Sequence, residues 1–245
     1  MAVRRLAPPE IQPKSFVFTA DNLTWAKQQI AKYPQGREHS AIILLLWRAQ
    51  EQCGGWLPRK AMEYVAELLG MANIRALEIA TFYTMFNLEP VGQFHVQLCG
   101  TTPCMLRGSE QLKEVCRRRI GEQHQVTADG KFSWTEVECL AACVNAPMVQ
   151  INADYYEDLT PESFERVLDE LAAGRTPKPG PQVARQFSAP IGGLTTLTAP
   201  DLYKHANGAP AGAALTDEDG KKPGAPANLQ DAPMPKLPAG DSSRQ

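Results

Sequence analysis

With 245 residues, the chain can bury a real core as one larger domain or two small ones. Its net charge of −2 gives no basic surface suited to nucleic acid or anionic lipid. No apolar run approaches the ~20 residues of a membrane helix; the longest, Ala41 to Trp47, lies between Ser40 and Arg48 and reads as a core helix, so no membrane insertion is expected. Arg4 and Arg5 are followed by Pro8, Pro9, Glu10 and Pro13 rather than by an apolar signal segment. A cytosolic location is therefore expected, where thiols stay reduced and clustered cysteines bind metals more often than they form disulfides.

After an N-terminal arm (1–18), residues 19–90 are predicted to be helical. Thr19 or Asp21 can cap a first helix that passes Trp25 and Ile30 and stops near Lys32, before Tyr33-Pro34. A second helix is expected from about Arg37 to Gln52, ended by Gly54-Gly55. Pro58 suits the first turn of a third, with Met62, Val65, Leu68 and Leu69 on one face and Gly70 as its stop. A fourth is predicted over roughly Ile74 to Phe86. These form a four-helix unit, in which Cys53 is a bystander thiol.

From Val91 the pattern turns to strand, helix, strand, strand, helix, a βαββα unit over 91–174. Phe94, Val96 and Leu98 alternate with His95 and Gln97, as in a strand with one apolar face. Met105, Leu112, Val115, Cys116 and Ile120 recur near helical spacing, which makes Cys116 a core thiol. Arg117-Arg118-Arg119 complement the negative end of that helix and read as a solvated terminus rather than an anion site. Asp129-Gly130 signals a hairpin turn into a strand around Trp134, and Pro147 to Ile151 is a further strand. Thr160 caps a last helix, with Pro161 at its first position and Phe164, Val167 and Leu171 on its core face. Residues 174–245 hold 11 of the 20 prolines and 9 of the 18 glycines, so the tail (175–245) is expected to be extended or disordered. Its apolar island Ile191–Leu197 is a candidate partner-docking peptide.

Four of the six cysteines form two tight pairs, Cys99-Gly-Thr-Thr-Pro-Cys104 and Cys139-Leu-Ala-Ala-Cys143. Each pair follows a strand-like run, so two strand ends can deliver four sulfurs to one centre. The C-x4-C spacing suits zinc and also the plant-type [2Fe–2S] arrangement. The absence of compact C-x2-C knuckles favours iron–sulfur, with a zinc-stabilised binding module as the alternative. A C-x-x-C redox motif is absent, and none of His39, His95, His124 and His205 sits beside a cysteine pair as a Rieske centre requires. The sequence carries no G-x-G-x-x-G, P-loop or nucleophile–base set, and no catalytic residue is assigned.

These motifs, with Thr81-Phe-Tyr-Thr-Met-Phe86 and Asn145-Ala-Pro-Met-Val-Gln-Ile151, resemble the E-subunit family of respiratory complex I, the NADH:quinone oxidoreductase. The likeness runs from about Ser15 to Leu171, with a weaker match at the Gly-Gly-Leu-Thr of the tail. The resemblance implies an α+β chain: an N-terminal four-helix unit, then a thioredoxin-like [2Fe–2S] ferredoxin domain, then the extended Pro/Ala/Gly-rich C-terminal tail. It implies one [2Fe–2S] cluster on Cys99, Cys104, Cys139 and Cys143, the first pair on one iron and the second on the other. It further implies a partner flavin subunit that binds FMN and NADH, an adjoining iron–sulfur subunit of the peripheral arm, and a place on the cytoplasmic side of the bacterial inner membrane. The chain then serves a proton-translocating NADH:ubiquinone reductase without binding substrate itself. NAD-linked hydrogenases and formate dehydrogenases share the motifs and form a sibling reading. Two departures stand out: Gly100 where the family often has threonine, and Ala141 where it often has glycine. N–H donors to the sulfurs are expected from the Gly100–Thr102 loop and the start of the Met105 helix.

Overall fold

The computed structural model describes residues 4–185, 187–190 and 196. The island Ile191–Leu197 therefore lies, but for Thr196, outside the described residues, as does the rest of the tail beyond it. Helix α1 (Ala20–Ile30) begins at Thr19, whose hydroxyl accepts the Asn22 N–H at 3.3 Å. Helix α2 (Ile42–Gln52) follows a 3-10 turn over Glu38–Ala41 that replaces the expected first turn of a longer helix. Helix α3 (Arg59–Leu68) buries Met62 and Val65, with Pro58 one place earlier than expected, at the cap.

The fourth helix is shorter than the apolar pattern suggests: α4 spans Asn73–Phe82 and the chain turns extended at Tyr83. Leaving the helix there turns Phe86 into the core, fully buried with its ring edge-on to Trp47. The freed carbonyls find a charged partner in the N-terminal arm. Arg4 Nη1 donates to Ala80 O at 3.2 Å, Thr81 O at 3.3 Å and Tyr83 O at 2.7 Å, and Nη2 to Phe86 O. A guanidinium on the last carbonyls of a helix meets both their hydrogen-bonding need and the dipole. Gln50 fixes the same turn, donating to Met85 O at 3.1 Å and accepting the Asn87 N–H at 2.7 Å. The core of this part runs from Phe18 to Leu88, with Cys53 packed against it.

The second half is built on a five-stranded sheet in the order β2-β1-β3-β4-β5. Central β1 (Phe94–Cys99) pairs parallel with β2 (Phe132–Val137), in register from Phe94↔Phe132 to Cys99↔Val137. On its other side lie β3 (Val149–Ile151), antiparallel to β1, and β4 (Asp154–Glu157), antiparallel to β3. The edge is β5 (Gly180–Pro181), parallel to β4. Between β1 and β2 run α5 (Thr102–Arg107) and α6 (Ser109–Arg119); α7 (Pro161–Ala172) follows β4 with the Thr160 cap in place. The expected βαββα order thus gains two strands. Strand β4 returns through the tight turn Asn152-Ala153, where Asn152 takes a left-handed φ of 54° that asparagine tolerates. Strand β5 lies past Gly174, so an ordered stretch of the tail belongs to the compact unit that ends at Phe187.

Helices α6 and α7 bury Leu112, Val115, Cys116, Phe164, Val167 and Leu168 with sheet residues that include Trp134. The arginine run is not simply solvated: Arg118 pairs with Glu165 and Arg119 with Asp169, tying α6 to α7. Both pairs lie at the surface and contribute little beyond orientation.

His95 departs from the alternating pattern, being only 8% exposed. Its Nδ1 lies 2.8 Å from Ser133 Oγ, which accepts the Gly92 N–H at 2.9 Å, while Nε2 has no partner among the described residues. Gly92 permits this approach, since a Cβ there would fall 2.5 Å from the Phe132 carbonyl carbon. Burial, reinforced by the charge of His124, pushes the His95 imidazole down to about 4. The folded state therefore holds this ring neutral where the unfolded chain protonates it. Stability is full above pH 6.5 and falls as pH drops from 6.5 towards 4, by roughly 3 kcal/mol from this group. Urea midpoints across that range are expected to show the slope, and His95→Gln is expected to flatten it.

Candidate metal centre

Parallel pairing fixes where the cysteines go. Cys99 is the last residue of β1 and sits opposite Val137 at the end of β2, so Cys139 leaves the sheet at the same edge. From Cys99 the chain enters α5, whose first turn carries Cys104. Cys143 opens a 3-10 turn over Cys143–Asn145 that feeds β3 from that edge, where the Cys99 N–H donates to Met148 O at 3.4 Å. Tyr155 Oη supports the second loop from β4 by donating to Leu140 O at 3.0 Å.

All six cysteines are free thiols, and the loops that carry Cys99, Cys104, Cys139 and Cys143 lie at the same end of the β1–β2 pair. Cys139 Sγ and Cys143 Sγ are 3.7 Å apart, and Cys99 and Cys104 share a small buried cluster with Ala146 and Met148. The pairs differ in exposure: Cys99 and Cys104 are buried, Cys139 and Cys143 are open to solvent. Among the described residues, no three or more His, Cys, Asp or Glu side chains are placed to hold a metal ion. Cys53 and Cys116 stand apart, their thiols pushed up by burial to about 11 and about 12.

The donors differ in part from expectation. Burial works to raise the Cys99 thiol, but the Thr101 hydroxyl at 3.4 Å and the N–H groups of Leu140 and Thr101 outweigh it and lower it. Ala141 N–H donates to Cys139 Sγ at 3.3 Å, so the second loop adds donors to those that Thr101 supplies, as expected, on the first. Gly100 and Met105 supply none: their N–H groups bond Val137 O and Thr101 O. Burial pushes Cys104 up to about 12, helped by Cys99, and Cys143 is raised by its bond to Cys139, then by burial and by neighbouring thiolates. Four crowded thiolates repel one another, and cationic iron reverses that penalty. This donor set, two thiol pairs with N–H and hydroxyl donors on their sulfurs, fits a [2Fe–2S] cluster.

Both departures from the family pattern have structural consequences. A Cβ on Gly100 would fall 1.8 Å from Glu136 Oε1, and Lys113 Nζ holds that carboxylate at 2.8 Å. Threonine there requires Glu136 to move. Ala141 adopts φ 64°, a left-handed conformation that costs a Cβ-bearing residue about 1–2 kcal/mol. Glu136 and Lys113 carry no sequence motif; only their meeting over Gly100 marks them.

The profile of the thioredoxin-like [2Fe-2S] ferredoxin family matches residues 26–172, and the chain belongs to that family. A [2Fe–2S] cluster is what this membership implies. Within it the chain belongs with the E-subunit proteins of NADH-quinone oxidoreductase. It is 57% identical over 205 residues to the NADH-quinone oxidoreductase E-subunit 1 of Rhizobium meliloti (strain 1021), covering 82% of this chain and 74% of that one. It is 56% identical over 158 residues to the corresponding E-subunit of Rickettsia bellii (strain RML369-C), covering 64% of this chain and 95% of the relative. Among solved structures, an NAD+-reducing [NiFe]-hydrogenase in the H2-reduced state aligns at 18% identity and a TM-score of 0.46, over 53% of this chain and 22% of that one. The assignment rests on the family profile and the curated relatives.

Ala141→Gly is expected to relieve the left-handed strain and stabilise the chain by up to about 1 kcal/mol, the greater freedom of the unfolded glycine offsetting part of the gain. Chemical denaturation of the metal-free protein checks this, and an unchanged or lower midpoint contradicts it.

Proposed function

We propose that this chain is the electron-transfer subunit of the NADH-oxidising module of a proton-pumping NADH:quinone oxidoreductase. It holds one [2Fe–2S] cluster on Cys99, Cys104, Cys139 and Cys143, and the cluster, when bound, exchanges single electrons with FMN on a partner flavin subunit. The observation that carries this reading is that two parallel strand ends deliver both cysteine pairs, as free thiols, to one end of the sheet. The names of the relatives, NADH-quinone oxidoreductase E-subunits at 57% and 56% identity, supply the enzyme.

Each residue has a role in this reading. Cys99 and Cys104 would hold one iron of the cluster, and Cys139 and Cys143 the other. The Thr101 hydroxyl and the Leu140 and Ala141 N–H groups disperse negative charge on the sulfurs and so help set the potential. Met105 and Leu106, which follow Cys104, and Val144, which follows Cys143, are 46%, 77% and 67% exposed and offer apolar side chains from which a partner can exclude water. NADH delivers two electrons as hydride and the cluster takes one, so a flavin stands between them. NADH and FMN are assigned to the flavin subunit, because this sequence lacks a dinucleotide fingerprint. Residues 91–174 form the cluster domain and 19–90 a helical domain, with the adjoining iron–sulfur subunit as a second neighbour. The setting is the peripheral arm, on the cytoplasmic side of the membrane. Among the described residues no helix is long and apolar enough to cross a membrane.

Metal analysis of the purified chain is expected to give two iron and two acid-labile sulfide, as the cluster's composition requires. One zinc overturns the reading. Cys→Ser at any of the four ligands is expected to lower occupancy or alter the EPR spectrum of the reduced protein, whereas Cys53→Ser and Cys116→Ser leave both unchanged. NADH is expected to leave the visible spectrum of the isolated chain as it was, and electron flow from NADH to require the flavin partner. Prompt reduction by NADH without any flavin protein contradicts the proposal.

A further inference from the structure

The second cysteine loop is held by a segment distant in sequence. After α7 the chain returns along the sheet edge as β5, and the Gln182 N–H donates to Glu157 O at 2.9 Å. Arg185 then reaches inward. Its Nη1 donates to Asn145 Oδ1 at 2.6 Å and Val144 O at 3.2 Å, and lies 3.4 Å from Asp158 Oδ1. The Arg185 and Asp158 side chains are only 6% and 7% exposed. The Asp158 N–H donates to Asn145 O at 2.7 Å, and Asn145 Nδ2 donates to Glu157 Oε2 at 2.5 Å and to Phe187 O at 3.0 Å. Val144 and Asn145 are the two residues after Cys143, inside its 3-10 turn.

Burying a guanidinium is costly, and an ion pair that offsets the cost is best when short and bidentate. This one is single and long, and the shortest bond of Arg185 goes to the cysteine turn instead. We infer that Arg185 is a positioning residue for the cluster. Acting through Val144 and Asn145, it holds the Cys143–Asn145 turn so that Cys143 Sγ stays beside Cys139 Sγ; it touches neither sulfur. The inference rests on the assignment of Cys143 as a ligand. A loop fixed in advance keeps its thiolate on iron, and loss of such outer partners typically costs about 10–100-fold in metal affinity.

The test uses the full chain carrying its cluster. Arg185→Ala strands Asp158 as a buried charge, so the informative variant is Arg185→Met with Asp158→Asn, which removes both charges at similar volume. We expect this double variant to release iron to a chelator on the order of tenfold faster than the parent, with an altered EPR signature. Amide exchange of Asn145 and Ala146 is expected to rise by a similar factor while β1 stays protected. Arg185→Lys keeps the charge but not the planar fork, and falls between the two. Iron release, EPR and exchange all as in the parent overturn the inference and leave Arg185 a plain structural ion pair. If the double variant melts lower, a rise in exchange confined to Cys143–Ala146 still supports it, and a uniform rise through β1 and α7 overturns it. Exchange is also read on the metal-free chain. A parent that lacks iron and sulfide therefore overturns the ligand assignment while the brace is still tested.

Discussion

The site depends on the parallel, in-register pairing of β1 with β2. Six paired residues fix the two strands so that both end at one edge, with Cys99 facing Val137. Antiparallel pairing would send Cys139 to the opposite edge from Cys99. Parallel neighbours need a crossover, here α5 and α6, and that connection also carries Cys104. Packing of α6 and α7 on the sheet, through Val115, Cys116, Phe164 and Val167, therefore holds the cysteine-bearing loops in place as well as the core.

The site divides into a dry half and a wet half. Cys99 and Cys104 share a small buried cluster with Ala146 and Met148, whereas Cys139 and Cys143 stand open. On the buried side the Thr101 hydroxyl and the Thr101 and Leu140 N–H groups stabilise negative charge on Cys99, while on the open side the Ala141 N–H donates to Cys139. Glu136 lies above Gly100, neutralised by Lys113, which Glu110 also holds at 2.7 Å. Burial works to lower the Lys113 ammonium, but its bonds to Glu110 and Glu136 outweigh this and raise it, so the cation stays charged beside the first loop.

Much of this was legible in the sequence because the signals were local. Thr19 and Thr160 announce their helices through hydroxyl caps, and the cysteine pairs announce themselves by spacing. Cys116 was readable as core from helical periodicity. What escaped was non-local. The end of α4 is set by Arg4 and by the pull of Phe86 into the core, neither visible in the window from Ile74 to Phe86. Strand β4 has the polar pattern Asp-Tyr-Tyr-Glu, and β5 is two residues long; both exist because a sheet edge is there to pair with. Of the donors expected on the first loop, those of Thr101 reach Cys99 while the Gly100 N–H is spent on the sheet; the donor of the second loop comes from a left-handed turn at Ala141 that no residue preference signals.

The position of Arg185 has a consequence for how the protein is made. The residue that braces Val144 is 41 positions later in the chain. At a synthesis rate of about 5–20 residues per second, the second loop is complete for several seconds before its brace exists. The chain then has all four thiols but not the order that holds the last of them. The fold thus sets a sequence of events, in which the sheet closes with β5, Arg185 settles behind the turn, and only then is the site ready for metal.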